Sequence, residues 1–361
     1  MIDEKICNWL VDNADTPIRY RVARELLKDK KSAKRIEKEL TENPIIMRWL
    51  KHLKPETPAQ HHSMEHGSFD FCLENAILKL VQLGLHSEFS QLTNAITYYI
   101  VKIESVPFEF PVRNRDFHKG FACILISNLL SLTGLDNDAI NNFMLLSLNE
   151  IYDFVCKDDY NIYYSEEEKR DIPGIPSIWK NRKIITRNLI TEYGFCYPLL
   201  YDIVGLHTLY KLKDERISHK IQTIINYIST DLFHNTIADE YGIIPADDKK
   251  FHSMGWDPKF PGWFSVEKYL ENNNVPKLLF FAQYIAKYPN THKTKWFHDF
   301  INYLDRYRTD NGTYIFPAAW LQERQGYAVM GSHLSFGENR RKSNWREIES
   351  TFFVQQLKSS V

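Results

Sequence analysis

The chain has 361 residues, enough for one large domain or two smaller ones. Hydrophobic residues make up 43% and charged residues 25%, which is ordinary for a globular protein, while aromatic residues reach a high 14%. The 45 Lys and Arg residues are balanced by 46 Asp and Glu residues, and without a dominant basic stripe this balance argues against a nucleic-acid-binding protein.

The cysteines and the apolar runs exclude further classes. The five cysteines are widely separated and form no C-x-x-C pair, which predicts neither a disulfide framework nor a metal site, and no cofactor is expected. No apolar run is long enough to cross a bilayer, and the acidic start Met1-Ile2-Asp3-Glu4-Lys5 does not resemble a signal peptide. These patterns favour a cytoplasmic protein.

Residues 1–56 are predicted to form a small helical extension that packs on a larger domain of residues 57–361. The extension is expected to contain four short helices, at Ile2–Val11, Pro17–Leu27, Ala33–Leu40 and Ile45–Leu53. The start at Thr16-Pro17 is typical of a helix, because proline is already constrained to the backbone angle of the first helical position.

The larger domain contains repeated helical hairpins. An apolar helix starting at Phe69 is closed by Gly84, and a second starting at Phe117 is closed by Gly134; each is followed by a partner helix. An irregular stretch at residues 157–183 separates these hairpins from later ones, and two short segments, 242–244 and 312–316, are expected to form β-ribbons. Hairpins of this kind cannot bury their faces alone, so they must stack or close into a ring. The prediction is an all-α fold, an (α/α) toroid or barrel of about six helical hairpins with long rim loops; an open superhelix is the alternative.

Three stretches carry a resemblance to a known family. They are His66-Gly67 ahead of Gln82-Leu83-Gly84-Leu85, residues 193–209, and residues 344–357. Together they resemble uncharacterised bacterial proteins with the α/α toroid of terpenoid cyclases and protein prenyltransferases, the squalene-cyclase-like fold. The resemblance implies that fold, but the chain lacks the Asp-x-Asp-Asp motif of the cyclases, and its single Asp-x-Cys match, Asp70-Phe71-Cys72, lies early where the prenyltransferase zinc pair lies late. The resemblance therefore implies the architecture rather than either chemistry.

Two helix starts provide candidate catalytic residues. His66 and Asp70 precede the first long helix, where Asp70 is expected either to cap the helix or to act on a ligand, and where a helical extension would align them with Glu74. Asp116 and His118 open the second long helix beside Arg115, which is a candidate for substrate binding. Surface arginines with an N-cap aspartate are the alternative interpretation of this second group.

Aromatic and acidic residues at later helix starts are candidates for substrate binding. Each lies at or near the start of a predicted helix, where its side chain would line a central cavity. They are Tyr197, Tyr201, Asp202, Trp256, Trp263 and Trp345. Packing in the core is the alternative for each of them.

These residues lead to three functional hypotheses. The first is an enzyme with a central aromatic and acidic cavity that performs acid–base chemistry, of the cyclisation or isomerisation type, on a small hydrophobic or polyfunctional molecule. The second is a carbohydrate-active (α/α) barrel that uses paired carboxylates and tryptophan platforms. The third is a non-catalytic binding or scaffold protein. A small-molecule ligand is the expected partner, and neither nucleic acid nor a membrane span is expected.

Overall fold

The computed structural model describes residues 3–53, 65–105, 117–191, 193–246, 250–271 and 274–360. The fold is mostly helical with one small sheet, which confirms the helical class. In the first half of the described chain the α-helices are α1 Glu4–Asn13, α2 Thr16–Arg21, α3 Lys30–Thr41, α4 Pro44–His52, α5 Leu73–Gln82, α6 Ser90–Glu104, α7 Phe117–Ser131 and α8 Asp138–Val155. In the second half they are α9 Glu166–Arg170, α10 Leu200–Gly205, α11 Glu215–Ile228, α12 Asp231–Thr236, α13 Val266–Glu271, α14 Val275–Ile285, α15 Lys295–Leu304 and α16 Trp345–Ser359.

Shorter elements complete the described chain. A single π-helical turn, Val22–Leu26, continues α2 without a break. Strands β1 Gly242–Pro245 and β2 Phe251–Met254 pair antiparallel, with Gly242 opposite Met254. None of the helices in the described ranges combines the length and the apolar character that a membrane crossing requires.

The chain forms two compact units. Unit 1 contains residues 1–98, 132–135 and 261–361, so the predicted N-terminal extension is one part of it. Unit 2 contains residues 99–131 and 136–260.

Helices α7, α8, α10 and α11 form the helical packing of unit 2. Helix α7 packs against both α8 and α10, and α8 packs against α11. The contact between α7 and α10 is close, because a Cβ added at Gly205 would lie 2.2 Å from Oδ1 of Asn128. These contacts link the four helices in the order α10, α7, α8, α11.

Helix α16 is largely buried in unit 1. Apolar and polar side chains are both buried along it, and it packs against α1 and α14. Its hydroxyl groups bind the preceding segment, because Thr351 Oγ1 accepts from Tyr314 N at 2.8 Å and Ser350 Oγ accepts from Phe316 N at 2.9 Å. The backbone N–H groups of Tyr314 and Phe316, which would pair with a neighbouring strand in a sheet, thus donate to side chains of a helix.

Several predicted boundaries agree with the structure, and others are wrong. The four N-terminal helices are confirmed, and Gly84 and Gly134 have the positive φ angles, 99° and 74°, that suit a residue after a helix end. The helix predicted from Phe69 begins instead at Leu73, because residues 65–72 are held in a loop by side chains of α5. The predicted ribbon at 312–316 is reduced to a single bridge between Arg308 and Tyr314.

Gly331→Ala tests the close approach of the segment before α16 to α14. Gly331 has a φ of 78°, and an added Cβ would lie 2.2 Å from the carbonyl oxygen of Pro276, whereas Gly174 has a φ of 80° and open space around it. We expect Gly174→Ala to lower the free energy of unfolding by about 1–2 kcal/mol, because of the backbone angle alone. Gly331→Ala should lower the free energy of unfolding by about 1–3 kcal/mol more than Gly174→Ala does, because it also overpacks its surroundings. Urea unfolding measures both values. Equal losses in the two variants would contradict this packing.

Candidate functional site in unit 1

The first turn of α5 organises the loop that contains the predicted residue His66. Glu74 is fully buried, and its Oε1 accepts a hydrogen bond from Gly67 N at 2.6 Å. His66 Nδ1 lies 2.9 Å from the same oxygen, and the His66 ring lies 5.3 Å from that of Tyr327. His66 is therefore held by a buried carboxylate rather than by the helical alignment that its spacing suggested.

Asn75 joins this loop to a second one. Its amide nitrogen donates to the carbonyl oxygens of Gly67 and Phe69, each at 2.8 Å, and its Oδ1 accepts from Ala328 N at 2.7 Å. One buried amide thus fixes residues 67–69 and residue 328 relative to α5. Asp70 follows directly in this loop and is positioned by it.

Lys79, about one turn after Asn75 along α5, is a buried charge. Its ammonium group is 1% exposed and forms an ion pair with Glu323 Oε2 at 2.5 Å, and it also donates to the carbonyl oxygen of Ser335. A buried ammonium group is costly unless oxygen atoms replace its water. Burial opposes ionisation of Glu323, but Lys79 and His333 outweigh that effect and lower the pKa of Glu323 to about 2.

His333 lies between two carboxylates. Its Nδ1 is 3.0 Å from Glu323 Oε1, and its Nε2 is 3.6 Å from Asp70 Oδ1. The side chain of His333 is 2% exposed, and the Trp49 ring contacts it edge to face at 5.0 Å. The sequence places Asp70 and His333 far apart, and the two loops bring them together.

Two facing polar atoms at this point lack a hydrogen bond. Within the described ranges, neither Asp70 Oδ1 nor His333 Nε2 has a hydrogen-bond partner, although both atoms are buried. Helix α5 begins after Cys72 with no side-chain cap, so the expected capping role of Asp70 is wrong. Buried polar atoms are normally paired, and these two lie 3.6 Å apart, within ion-pair distance of each other when His333 is protonated.

Glu349 of α16 lies on the other side of Lys79. Its Oε1 accepts from Ser335 Oγ at 2.7 Å and from Phe336 N at 2.9 Å. Burial raises the pKa of Glu349 to about 7, although Ser335 and Lys79 act in the opposite direction. The environment therefore separates the pKa values of the two glutamates. Glu323 stays ionised, whereas Glu349 titrates near neutral pH.

The structure places two other predicted residues against Phe121 in unit 2 and a third, His118, beside His252. Trp256 stacks on the Phe121 ring at 4.6 Å, and Tyr201 contacts it edge to face at 5.8 Å. His118, at the start of α7, lies 4.5 Å from the ring of His252. These contacts form an aromatic cluster in which Tyr201 is fully buried.

Asp202 and Tyr197 are buried in the same unit. Asp202 accepts from Leu199 N at 2.9 Å and from Asn128 Nδ2 at 3.0 Å, so it caps α10, and burial raises its pKa to about 7. The Tyr197 hydroxyl has no hydrogen-bond partner in the part of the chain that is described. Its pKa is raised because it is buried and near the carboxylate of Asp257.

The remaining predicted residues are dispersed. Trp263 and Trp345 are half-buried in unit 1, and the Arg340 guanidinium lies 4.9 Å over the Trp345 ring. Asp116 and Arg115 fall outside the described residues. The shared central space predicted for His66, Asp116, Tyr197 and Trp345 stays a prediction.

Sequence reasoning missed the residues that complete the site of Asp70. Lys79 interrupts an otherwise apolar stretch, and a charge in such a stretch indicates a buried ion pair. Glu349 has no such signal, because Glu347, Ser350 and Thr351 are close to it in the sequence. His333 has no such signal, because it lies in an irregular segment without hydrophobic periodicity.

Comparisons with known proteins give no family for the chain. No family model matches it, and neither a curated protein nor a solved structure matches it. In the described ranges, no group of three or more His, Cys, Asp or Glu side chains is arranged to hold a metal ion.

Glu349→Gln tests the raised pKa of Glu349. Because burial raises that pKa to about 7 from 4.5, Glu349 favours the folded state below pH 4.5, and this stability is lost as the pH rises through 7. Glutamine keeps the shape of the protonated acid and its acceptor oxygen. We expect the variant to match the wild type at pH 4.5 and to exceed its free energy of unfolding by about 1–3 kcal/mol at pH 8.

The matched control for this experiment is Glu42→Gln. Glu42 is 68% exposed and lies 4.0 Å from Lys38, so its replacement should leave the pH dependence unchanged. A Glu349→Gln variant that is less stable than the wild type at pH 8 would show that the ionised carboxylate stabilises the fold.

Tyr197→Phe tests whether the Tyr197 hydroxyl contributes to folding. An unpaired buried hydroxyl is unfavourable, so its removal should leave the free energy of unfolding unchanged or raise it by about 1 kcal/mol. Tyr227→Phe is the comparison, because the Tyr227 hydroxyl donates to Asp159 O at 2.8 Å and its loss should cost about 1 kcal/mol. Similar losses in both variants, measured by urea unfolding, would mean that the Tyr197 hydroxyl is satisfied in solution.

Proposed function

We propose that the protein is an enzyme that performs acid–base chemistry on a small polyfunctional molecule, with His333 as the residue that transfers the proton and Asp70 as the carboxylate that stabilises its charged form. The single observation that carries this proposal is the pair of buried atoms, Asp70 Oδ1 and His333 Nε2, 3.6 Å apart and without a hydrogen-bond partner in the described ranges. Proton transfer at carbon or oxygen needs a base close to the reacting atom, and a neighbouring carboxylate favours the charged form of a histidine base. Asp70 Oδ1 and His333 Nε2 have that arrangement.

Glu323 sets the protonation of the His333 ring. A carboxylate 3.0 Å from Nδ1 accepts the proton of that nitrogen, so the lone pair of the neutral ring is on Nε2. Lys79 keeps Glu323 ionised and fixed in place. The resulting arrangement, a carboxylate that orients a histidine base, is the one that activates histidine in many enzymes.

Asp70 has the complementary role. Nε2 and Oδ1 are both acceptors in the neutral-histidine state, so a substrate O–H or acidic C–H satisfies them where protein groups do not. When Nε2 takes a proton from the substrate, the Asp70 carboxylate stabilises the imidazolium that forms. The proton is then returned from Nε2 to another atom of the substrate, which completes an isomerisation or a ring closure.

Aromatic residues beside Asp70 favour a substrate with a hydrophobic part. Phe69 and Phe71 are 51% and 41% exposed, and their rings stack in parallel at 5.1 Å. Exposed aromatic pairs next to buried polar groups are typical of binding sites that combine an apolar surface with a few polar contacts.

The other two hypotheses account for fewer of these features. A carbohydrate-active enzyme needs two carboxylates that act on the substrate, but Glu323 is already bound by Lys79 and His333. A scaffold protein does not require a buried histidine placed between two carboxylates. The (α/α) toroid and the terpenoid-cyclase-like family remain proposals, and the packing of the consecutive helices α7 and α8 as a pair supports the former.

The proposed function is tested by deuterium incorporation from solvent. The protein is incubated in D2O with a panel of small hydroxy, keto and unsaturated compounds, and mass spectrometry detects deuterium bound to carbon. We expect the wild type to label at least one compound, and His333→Gln and Asp70→Asn to lower the rate by about 10²–10⁴-fold. His298→Gln is the matched control because His298 is exposed, and it should label at the wild-type rate.

Stability measurements separate a catalytic role from a structural one. Because Asp70 does not cap α5, Asp70→Asn should leave the melting temperature almost unchanged. Labelling that persists in both variants, or a wild type that labels nothing across the panel, would contradict the proposal.

A further inference from the structure

Trp49 of α4 is buried beside the proposed base, and it has an unused hydrogen-bond donor. Its side chain is fully buried, and its indole Nε1–H donates to no acceptor in the ranges that the structure describes. The centre of its ring lies 5.0 Å from that of the His333 ring, in an edge-to-face contact. A buried N–H group without an acceptor is unfavourable, and such groups are normally paired. The donor of Trp49 therefore needs an explanation that packing alone does not give.

A regular helix holds Trp49 in this place. Asn43 caps α4 by accepting from Ile45 N at 3.0 Å, and Ile46, Trp49 and Leu50 form the buried face of the helix at three- and four-residue spacing. Helix α4 packs against α5, whose first turn holds the loop that contains the proposed site. A donor on a helix is positioned precisely enough to orient a ligand.

The side chains around Trp49 belong to the same cluster as the proposed site. The His52 ring contacts Trp49 edge to face at 5.4 Å, and the exposed Arg48 places its guanidinium 5.7 Å from the Trp49 ring. Burial lowers the pKa of His52, with Asp70 opposing this shift and Arg48 and His333 adding to it. His52 is therefore mostly neutral at pH 7. The cluster thus joins the Trp49 donor to the pair of Asp70 and His333.

The chemistry of an indole N–H group limits what it binds. It donates a hydrogen bond and accepts none, so its partner is an atom with a lone pair rather than the proton that His333 removes. Loss of a proton from carbon leaves a charge that a neighbouring carbonyl group takes up on its oxygen. A buried donor stabilises such an oxyanion more strongly than it stabilises the starting carbonyl group. The donor therefore favours carbonyl compounds among the substrates with an acidic C–H bond.

We propose that the substrate of this site is a carbonyl compound with a hydrogen atom on the neighbouring carbon, and that Trp49 Nε1–H donates to its carbonyl oxygen. This inference rests on the proposed function. His333 Nε2 takes the proton from that carbon, the C–H electron pair forms a C=C bond, and the π electrons of the C=O bond move to the oxygen. The imidazolium of His333 then returns a proton to carbon, and the C=O bond forms again. The step needs no oxidant and no second reactant.

The exposed rings of Phe69 and Phe71 on either side of Asp70 guide the choice of a probe. Phenacyl alcohol, an aromatic hydroxy ketone, combines a ring for this apolar surface with a carbonyl group and an acidic C–H bond. Ethylbenzene has the same ring without any oxygen atom. The two compounds together separate contact with the rings from a hydrogen bond to the carbonyl oxygen.

Deuterium labelling of phenacyl alcohol in D2O tests the donor. We expect the wild type to place deuterium on the carbon next to the carbonyl group faster than the buffer does. Trp49→Phe should lower that rate by about 10²–10³-fold, as the loss of an oxyanion donor does. Trp179→Phe is the matched control, because Trp179 is half-buried in unit 2, and it should label at the wild-type rate.

Indole ¹H–¹⁵N NMR of the wild type gives a readout that needs neither turnover nor a variant. The Trp49 signal is assigned through its proximity to the His52 and His333 rings. We expect phenacyl alcohol to move this proton signal downfield and ethylbenzene not to do so. Trp296 is the internal control, because its Nε1 already donates to Pro261 O at 2.8 Å and its signal should stay in place.

The outcomes separate this inference from the proposed function. Trp49→Phe that is folded and labels at the wild-type rate, or a Trp49 signal that does not move at concentrations of phenacyl alcohol that saturate labelling, would overturn the role of Trp49 and leave His333 as the base. If Trp49→Phe does not fold, the wild-type signal decides. Labelling of compounds without a carbonyl group alone would overturn the substrate class. A wild type that labels nothing contradicts both proposals.

Discussion

The ammonium group of Lys79 is the constraint on which the candidate site depends. This group is buried between its own helix, α5, and the segment from Leu321 to Glu338. Oxygen atoms of the protein must therefore replace the water that would otherwise surround it. Glu323 and the carbonyl oxygen of Ser335 supply them from two points of that segment. A segment with almost no regular structure is in this way held against a helix, and His333 is positioned as a result.

Two carboxylates near this lysine have different pKa values, because Lys79 and His333 outweigh burial at Glu323 whereas burial outweighs Lys79 at Glu349. Glu323 contacts Lys79 directly and is held ionised, whereas Glu349 is buried beyond Ser335 and is protonated up to about pH 7. Groups whose environments separate their pKa values in this way are typical of sites that divide acid and base roles. Glu323 contacts His333, the proposed base, while Glu349 stabilises the loop by accepting from Ser335 and Phe336.

The sequence predicted the helices better than the site, and the reason is the range of the interactions involved. Helix starts such as Thr16-Pro17 and stops such as Gly84 depend on residues a few positions apart, so local patterns reveal them. The loop at residues 65–72 depends on Glu74, Asn75 and the distant Ala328, and its spacing alone suggested a helix. Asp70 was identified from its position before α5, but its partner His333 is more than two hundred residues away and has no local signal.

The central claim is that Glu323 fixes the tautomer of His333 so that Nε2 is the base. Nitrogen-15 NMR of the imidazole rings, with His333→Gln used to assign the signal, measures this directly. The account predicts that the neutral His333 ring has its proton on Nδ1, where Glu323 Oε1 lies 3.0 Å away. A neutral ring protonated on Nε2 would contradict it, because Nε2 would then have no lone pair to accept a proton from a substrate.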